Sequence, residues 1–199
     1  LAKSFPVVWT LHDMWPFCGA EHCAYTDKRW TKGYSRGNRD QAAKGPDWNR
    51  WVWKQKKKAW TGLTIHTIGV SQWIDECVQR SDLFKGIRGL RRIIHNGLDA
   101  DIFTPENSSK LESKFDNLRC CPWRLAFGAT TQDNWIKGGD LLLESLQRLS
   151  EREKNFELIT FGKGELKDSA GIQVINQGPI DSPKQLAAVY RSADLTVVP

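Results

Sequence analysis

The sequence lacks several features that define whole classes of protein. No apolar run reaches the roughly 20 residues that a membrane-spanning helix needs. The first residues, LAKSFPVVW, do not have the charged, apolar and cleavage regions of a signal peptide. With 40% hydrophobic and 26% charged residues, the composition also differs from that of disordered chains. We therefore expect a globular chain with a substantial core, located in the cytoplasm.

The cysteine spacing does not predict a disulfide framework. The five cysteines are an odd number without a repeated close pair, so reduced thiols are expected. Cys18, His22 and Cys23 have side chains that zinc prefers, but structural zinc sites usually need four ligands and no second close cysteine pair follows. Asp99 and Asp101 have the spacing of an Asp-X-Asp metal motif, but we interpret them as structural residues of a turn. We predict no metal site.

Positive charge is concentrated in one stretch. Residues 28–60 contain eleven Lys or Arg and two Asp, a net charge of +9 in a chain whose total is +6. Such a surface can attract phosphates, an anionic membrane or nucleic acid, although the same charges also fit a solvated helix face. The mixture of tryptophan and lysine makes peripheral membrane contact one hypothesis. No nucleic-acid recognition motif is present, so we predict no nucleic-acid partner.

Strand and helix patterns alternate in the first half of the chain. The β-branched runs at 6–11 and 64–70 predict strands, and LRRIIHNG closes the set. Asp47 and Ser71 are suited to cap the two helices between them. Strands that alternate with helices pair in parallel through crossover helices, so this pattern predicts an α/β fold. The pattern weakens over 98–122, which we interpret as a connection between domains.

The alternation resumes at Trp123. The segments RLAFGAT, FELITFG, IQVINQG and DLTVVP predict strands, and KGGDLLLESLQRLS and SPKQLAAVYRSA predict helices. We therefore expect the back part of one α/β domain over 1–97, a connection over 98–122 and the first part of a second α/β domain over 123–199. Because the chain starts and stops within strand patterns, we expect both domains to be incomplete and the chain to be an internal fragment.

Residues that directly follow predicted strands are candidates for a binding site, because ligands of open α/β sheets bind beyond the carboxyl ends of the strands. His12 and Asp13 follow the first strand, and Ser71 follows the second. In the second half, strands end near Gly128 and Gly162, where a backbone can approach a ligand closely.

Lys137 precedes Gly138 and Gly139 at a predicted helix start. The unpaired N–H groups of such an end, together with a nearby cation, can bind phosphate. The alternative interpretation is an ordinary surface lysine.

A series of motifs runs in order along nearly the whole chain: PVVWTLHDMWPF, GVSQWIDECVQRSDLF, IIHNGLDADIFTP, FGATTQDNWIKGGDLLLESL, ELITFGKGEL and SADLTVVP. This series resembles glycosyltransferase family 4, and GAEHCAY with the tryptophan-rich stretch after it is similar to the exopolysaccharide and colanic-acid-type subgroup. The resemblance implies a GT-B fold of two Rossmann-like domains, and transfer of a sugar, with retention, from a nucleotide-diphosphate sugar to a saccharide or lipid-linked acceptor. It implies no bound metal and no cofactor besides the donor as co-substrate.

The resemblance also implies roles for single residues. His12 matches a position near the reacting sugar, and Lys137 matches a lysine that binds the donor diphosphate, so both are predicted to be catalytic. The other donor-binding positions that it implies are Gly128, Gly162, Lys163, Gly164, Gly178 and Ile180. On the acceptor side, we predict Asp13, Glu21, His22 and Ser71.

The sequence departs from the family pattern in two places. Many relatives have an arginine where this chain has Ala129, so Lys163 or another group is expected to take over part of the diphosphate contact. A pair of glutamates that holds the donor sugar and ribose in the family would follow Pro199. We therefore expect the chain alone to be inactive, and a non-catalytic nucleotide- or sugar-binding module of the same fold is the alternative.

Overall fold

The computed structural model describes residues 4–24, 26–105, 115, 117–132, 134–166 and 171–199. The chain divides into two compact units, Leu1–Gly97 and Leu98–Pro199. Each unit contains its own sheet of parallel strands, which confirms the predicted α/β class. Residues 98–122, the predicted connection, belong to the second unit in this division, and 106–114 and 116 lie outside the described residues.

The first unit has a three-stranded sheet in the order β1-β2-β3. Its elements are β1 (Val7–Leu11), α1 (Arg29–Lys32), α2 (Trp48–Trp60), β2 (Ile65–Gly69), α3 (Gln72–Arg80), a 3-10 helix (Phe84–Gly86) and β3 (Arg91–Ile93). The register places Leu11 beside Gly69, and Gly69 beside Ile93. The three strands therefore end at one edge of the sheet.

Two side-chain caps set where the longer helices of this unit begin. The Asp47 carboxylate accepts the backbone N–H of Arg50 at 3.0 Å, and the Ser71 hydroxyl accepts that of Ile74 at 3.2 Å. Each cap satisfies one of the N–H groups that a first helical turn leaves without a partner. Both predicted N-caps are confirmed.

The second unit has a four-stranded parallel sheet in the order β6-β5-β4-β7. Its elements are β4 (Trp123–Thr131), a 3-10 helix (Trp135–Lys137), α4 (Gly139–Ser150), β5 (Phe156–Lys163), β6 (Gln173–Asn176), α5 (Pro183–Ser192) and β7 (Leu195–Thr196). Gly128 pairs with Phe161 and Thr131 with Lys163, so three residue steps along β4 match two along β5. This β-bulge lies at the carboxyl ends of the two central strands.

Both faces of the second sheet are covered, and alternate strand residues enter two separate cores. Ala126 and Ile159 pack with Ala188 and Val189 of α5. The intervening strand residues, Phe127 and Leu158, pack with Leu142 and Leu146 of α4. A parallel sheet covered on both faces leaves the ends of its strands as the accessible part.

A buried ion pair joins β4 to β5 at their amino ends. Arg124 Nε lies 2.6 Å from Glu157 Oε1, and both side chains are fully buried. The guanidinium also donates to the Phe115 carbonyl at 2.8 Å, and Glu157 Oε2 accepts the Cys120 N–H at 2.9 Å. The sequence analysis did not predict this pair, because both charges lie inside apolar strands.

None of the helices in the described segments is long and apolar enough to cross a membrane.

Candidate functional site

A cavity of about 350 Å³ opens at the carboxyl ends of β4 and β5 in the second unit. Four predicted donor-binding residues lie on its wall: Gly128, Gly162, Lys163 and Ile180. Its volume is within the range of small-molecule pockets, at the lower end. The β-bulge between Gly128 and Thr131 lies at the same strand ends.

Gly162 is required by the contact between the two central strands. Its φ is +118°, and an added Cβ would lie 1.7 Å from the carbonyl oxygen of Ala129. Its N–H donates to the Gly178 carbonyl at 2.8 Å, which ties β5 to the loop after β6. Glycine therefore allows the backbones to close around the cavity, and this role does not depend on a ligand.

Two polar side chains that the sequence analysis missed hold the loops around the cavity. Gln132 is fully buried, and its amide donates to the Gly162 carbonyl and to Asn176 Oδ1, both at 3.2 Å. Asn176 Oδ1 accepts the Gly178 N–H at 2.9 Å, and its amide donates to the Gly164 carbonyl at 3.3 Å. The only sequence signal was that each polar residue stands at or just after the end of an apolar strand.

Lys137 is exposed and is not among the residues that line this cavity. It is the last residue of the 3-10 helix, and Gly138, with φ +70°, links that helix to α4. Gly138, the N-cap of α4, has no side chain to cap the first turn of this helix, and N–H groups of a helix start can bind an anion. The structure brings Lys163 to the cavity wall and leaves Lys137 beside α4.

The cavity presents one cation and one carboxylate, because Lys163 and Asp181 both lie on its wall. Ala129, which carries no charge, also lies there. Lys163 is the only lysine or arginine among the lining residues of the described chain. A diphosphate held here would thus depend on Lys163 and on backbone N–H groups.

In the first unit, several predicted residues share the carboxyl edge of the sheet. His12 and Asp13 follow β1, and Ser71 follows β2, whose last residue pairs with the last residue of β1. His95 follows β3 and places Nδ1 3.1 Å from the Val70 carbonyl. His12 is exposed, and the Ser71 oxygen is already engaged as the cap of α3.

Asp13 and His22 form a side-chain pair. Asp13 Oδ2 lies 2.6 Å from His22 Nδ1, while Oδ1 accepts the Trp15 N–H at 2.9 Å. The His22 side chain is 75% exposed. When Nδ1 donates to the carboxylate, Nε2 is left as the proton-accepting nitrogen on the open side. This pair could therefore remove a proton from a hydroxyl group.

Glu21 points into the unit. The Tyr34 hydroxyl donates to Glu21 Oε1, and Oε2 is buried without a hydrogen-bond partner among the described residues. Burial, followed by the hydrogen bond with Glu21, raises the pKa of Tyr34 above its usual value. Burial also raises the pKa of the neighbouring Cys18 thiol to about 12. Glu21 thus lies in a largely buried polar cluster.

Lys56 stabilises the loop that contains Asp13, Glu21 and His22. Its side chain is buried, and Nζ donates to the carbonyls of Trp15 at 2.5 Å and Gly19 at 2.6 Å. The ammonium also lies 3.6 Å from the centre of the Trp15 ring, within cation–π range. Burial lowers the pKa of Lys56 to about 8. The sequence analysis missed this residue because it lies in the lysine-rich run of α2.

Nowhere in the described ranges do three His, Cys, Asp or Glu side chains come together as a group that could hold a metal ion.

No protein-family model matches this sequence, and no curated protein matches it.

Proposed function

We propose that the chain is part of a GT-B glycosyltransferase, which moves a sugar from a nucleotide-diphosphate sugar to a saccharide or lipid-linked acceptor with retention. The observation that carries the proposal is the cavity at the ends of β4 and β5, where Gly128, Gly162 and Lys163 meet. The order of the sequence motifs supplies the reaction class. The cavity supplies a place where a diphosphate fits the available groups.

Lys163 would act on the leaving group. Breaking a bond between a sugar and a diphosphate builds negative charge on the departing phosphate, and a fixed cation at that point lowers the barrier. Gln132 and Asn176 keep the backbone around Lys163 in place, so little reorganisation is needed when charge develops. The predicted role of Lys137 in binding the donor diphosphate rests on the sequence motif alone.

The acceptor would contact the first unit at the carboxyl edge of its sheet. His12 offers an exposed imidazole there, and the Asp13–His22 pair offers a nitrogen that can accept a proton from an acceptor hydroxyl. Lys56 positions this loop and does not itself meet the substrate.

The proposal is tested by nucleotide binding to the chain. Calorimetric titration with uridine, guanosine and adenosine diphosphates should find one that binds. Lys163→Gln should weaken it about tenfold, because one charge-assisted hydrogen bond is lost. The matched control is Lys154→Gln, an exposed lysine in the turn before β5 and away from the cavity wall. No binding of any of the three, or equal weakening by both substitutions, would refute the proposal.

A non-catalytic nucleotide- or sugar-binding module is the second candidate. Ala129 favours it, because the described residues that line the cavity include no cation besides Lys163 to neutralise a leaving diphosphate. Release of nucleoside diphosphate from a nucleotide sugar separates the two candidates when it is measured by chromatography on the full-length parent protein that contains this chain, with Lys137→Ala as the control. Tight binding without release of the sugar supports the module, and release that depends on Lys137 supports the enzyme.

Membrane contact through residues 28–60 remains part of the proposal, with the inner face of the membrane as the expected location. Trp48 and Trp51 are exposed on α2, and their rings pack edge to face at 6.1 Å. Exposed tryptophans beside lysines suit the interface of an anionic bilayer.

A further inference from the structure

A second cavity, of about 550 Å³, lies beside α2 in the first unit. Its lining residues are Arg36, Arg39, Asp47, Arg50, Trp51 and Lys54, which we call the basic pocket. Four of these six side chains are cationic and one is a carboxylate. The pocket therefore has a strong positive charge concentrated around one concave surface.

The carboxylate does not neutralise these cations through ion pairs. Asp47 Oδ1 is occupied by the backbone N–H of Arg50, and Oδ2 lies 3.4 Å from Arg29 Nη1, a cation outside the basic pocket. Within the part of the chain that the structure describes, none of the four pocket cations forms a salt bridge. Their charge remains available to a ligand.

The basic pocket is also partly organised before any ligand arrives. Arg39 Nη2 donates to the carbonyls of Gly45 at 2.7 Å and Lys44 at 3.2 Å, which fixes its guanidinium. Arg50 Nε is buried and has no hydrogen-bond partner among the described residues. A buried donor without a partner costs free energy, which an acceptor bound in the pocket would recover.

We propose that the basic pocket binds a phosphate or pyrophosphate group. Guanidinium groups match the oxygens of phosphate in a two-pronged geometry, and several cations suit an anion of more than one charge. Trp51 contributes an apolar ring to the wall of the pocket. The group could belong to a free phosphorylated compound or to a lipid headgroup.

This inference is independent of the proposed glycosyltransferase activity, because all pocket residues belong to the first unit. Pyrophosphate is also a ligand expected for the cavity of the second unit. The test is therefore made in the Lys163→Gln background, which weakens that other site.

Inorganic pyrophosphate is titrated calorimetrically into the chain. We expect one binding site whose affinity falls about tenfold in Arg50→Gln and in Lys54→Gln, since each removes one charge-assisted hydrogen bond. Lys54 is exposed, so its variant should fold even if Arg50→Gln does not. The matched control is Lys58→Gln, an exposed lysine one turn further along α2 and outside the pocket.

Vesicle sedimentation identifies the source of the phosphate group. The vesicles contain phosphatidylcholine with or without phosphatidic acid. Binding to phosphatidic acid that both pocket variants weaken, and that Lys58→Gln does not, supports the pocket with a lipid headgroup as its ligand. Pyrophosphate binding without vesicle binding supports the pocket with a free phosphate compound.

Two results overturn the inference. The first is that neither pyrophosphate nor the vesicles bind. The second is that Lys58→Gln weakens binding as much as the pocket variants do, because only the overall charge of α2 would then matter. Neither result bears on Lys163, so failure of the pocket and failure of the proposed function remain distinguishable.

Discussion

The buried pair of Arg124 and Glu157 leads to a quantitative prediction about stability. In Glu157→Leu, the fully buried guanidinium keeps only the Phe115 carbonyl as a hydrogen-bond acceptor among the described residues, and the Cys120 N–H loses its acceptor. An unpaired buried charge costs about 3–5 kcal/mol. The lost hydrogen bond of an N–H group adds about 1 kcal/mol. We expect a total of about 4–6 kcal/mol, which is a large part of a typical domain stability.

Two comparisons show whether the buried charge is the cause. Arg124→Met combined with Glu157→Leu removes both charges, so most of the loss should be recovered. Glu144 and Arg148 on α4 are separated by the same 2.6 Å but are 59% and 77% exposed. Glu144→Leu should therefore cost less than about 1 kcal/mol.

Stability is measured by urea unfolding followed by circular dichroism, and hydrogen exchange of the β4 and β5 amides assigns the loss to the second unit. The reasoning is refuted if Glu157→Leu costs no more than Glu144→Leu. It is also refuted if the double variant is as unstable as the sum of its single changes.

Two further predictions concern backbone geometry and protonation. Gly162→Ala should cost at least about 3 kcal/mol, because its Cβ would overlap a carbonyl oxygen of β4. Gly178 has φ +66° and open space around it, so Gly178→Ala should cost only about 1–2 kcal/mol. Equal losses in the free energy of unfolding of the two variants, measured by urea unfolding, would contradict this contrast. Lys56 has a pKa of about 8 in the folded chain against an ordinary 10.5, so between these pH values the unfolded chain binds more protons. The contribution of Lys56 to stability should therefore rise with pH across this window. It is measured as the difference in free energy of unfolding between wild type and Lys56→Met. A difference that stays flat or falls with pH would show that the assignment is wrong.

The local signals in the sequence were sufficient for the helix starts and the fold class. Asp47 and Ser71 act on N–H groups three residues ahead, so their role can be predicted without knowledge of the fold. The α/β class followed from the alternation of strand and helix patterns. The rule that ligands lie beyond strand ends also led to residues that the structure brings to one cavity.

The contacts between distant segments could not be predicted in this way. Lys56 stands in a run that is typical of a solvated helix face, yet it is only 5% exposed because the loop carbonyls surround it. The hydrogen bond between Gln132 and Asn176 joins residues that are 44 positions apart in the sequence. Lys137 was predicted from its motif, but whether a lysine reaches a cavity wall depends on how the 3-10 helix turns before α4.

The β-bulge between Gly128 and Thr131 makes the number of residues in this segment as important as their identity. Removing one residue there would restore a regular ladder with β5. Because a bulge bends its strand and increases the local twist, the same deletion would change the direction in which Gln132 leaves β4 toward Gly162 and Asn176. Related proteins should therefore tolerate substitutions in this segment more readily than a change in its length.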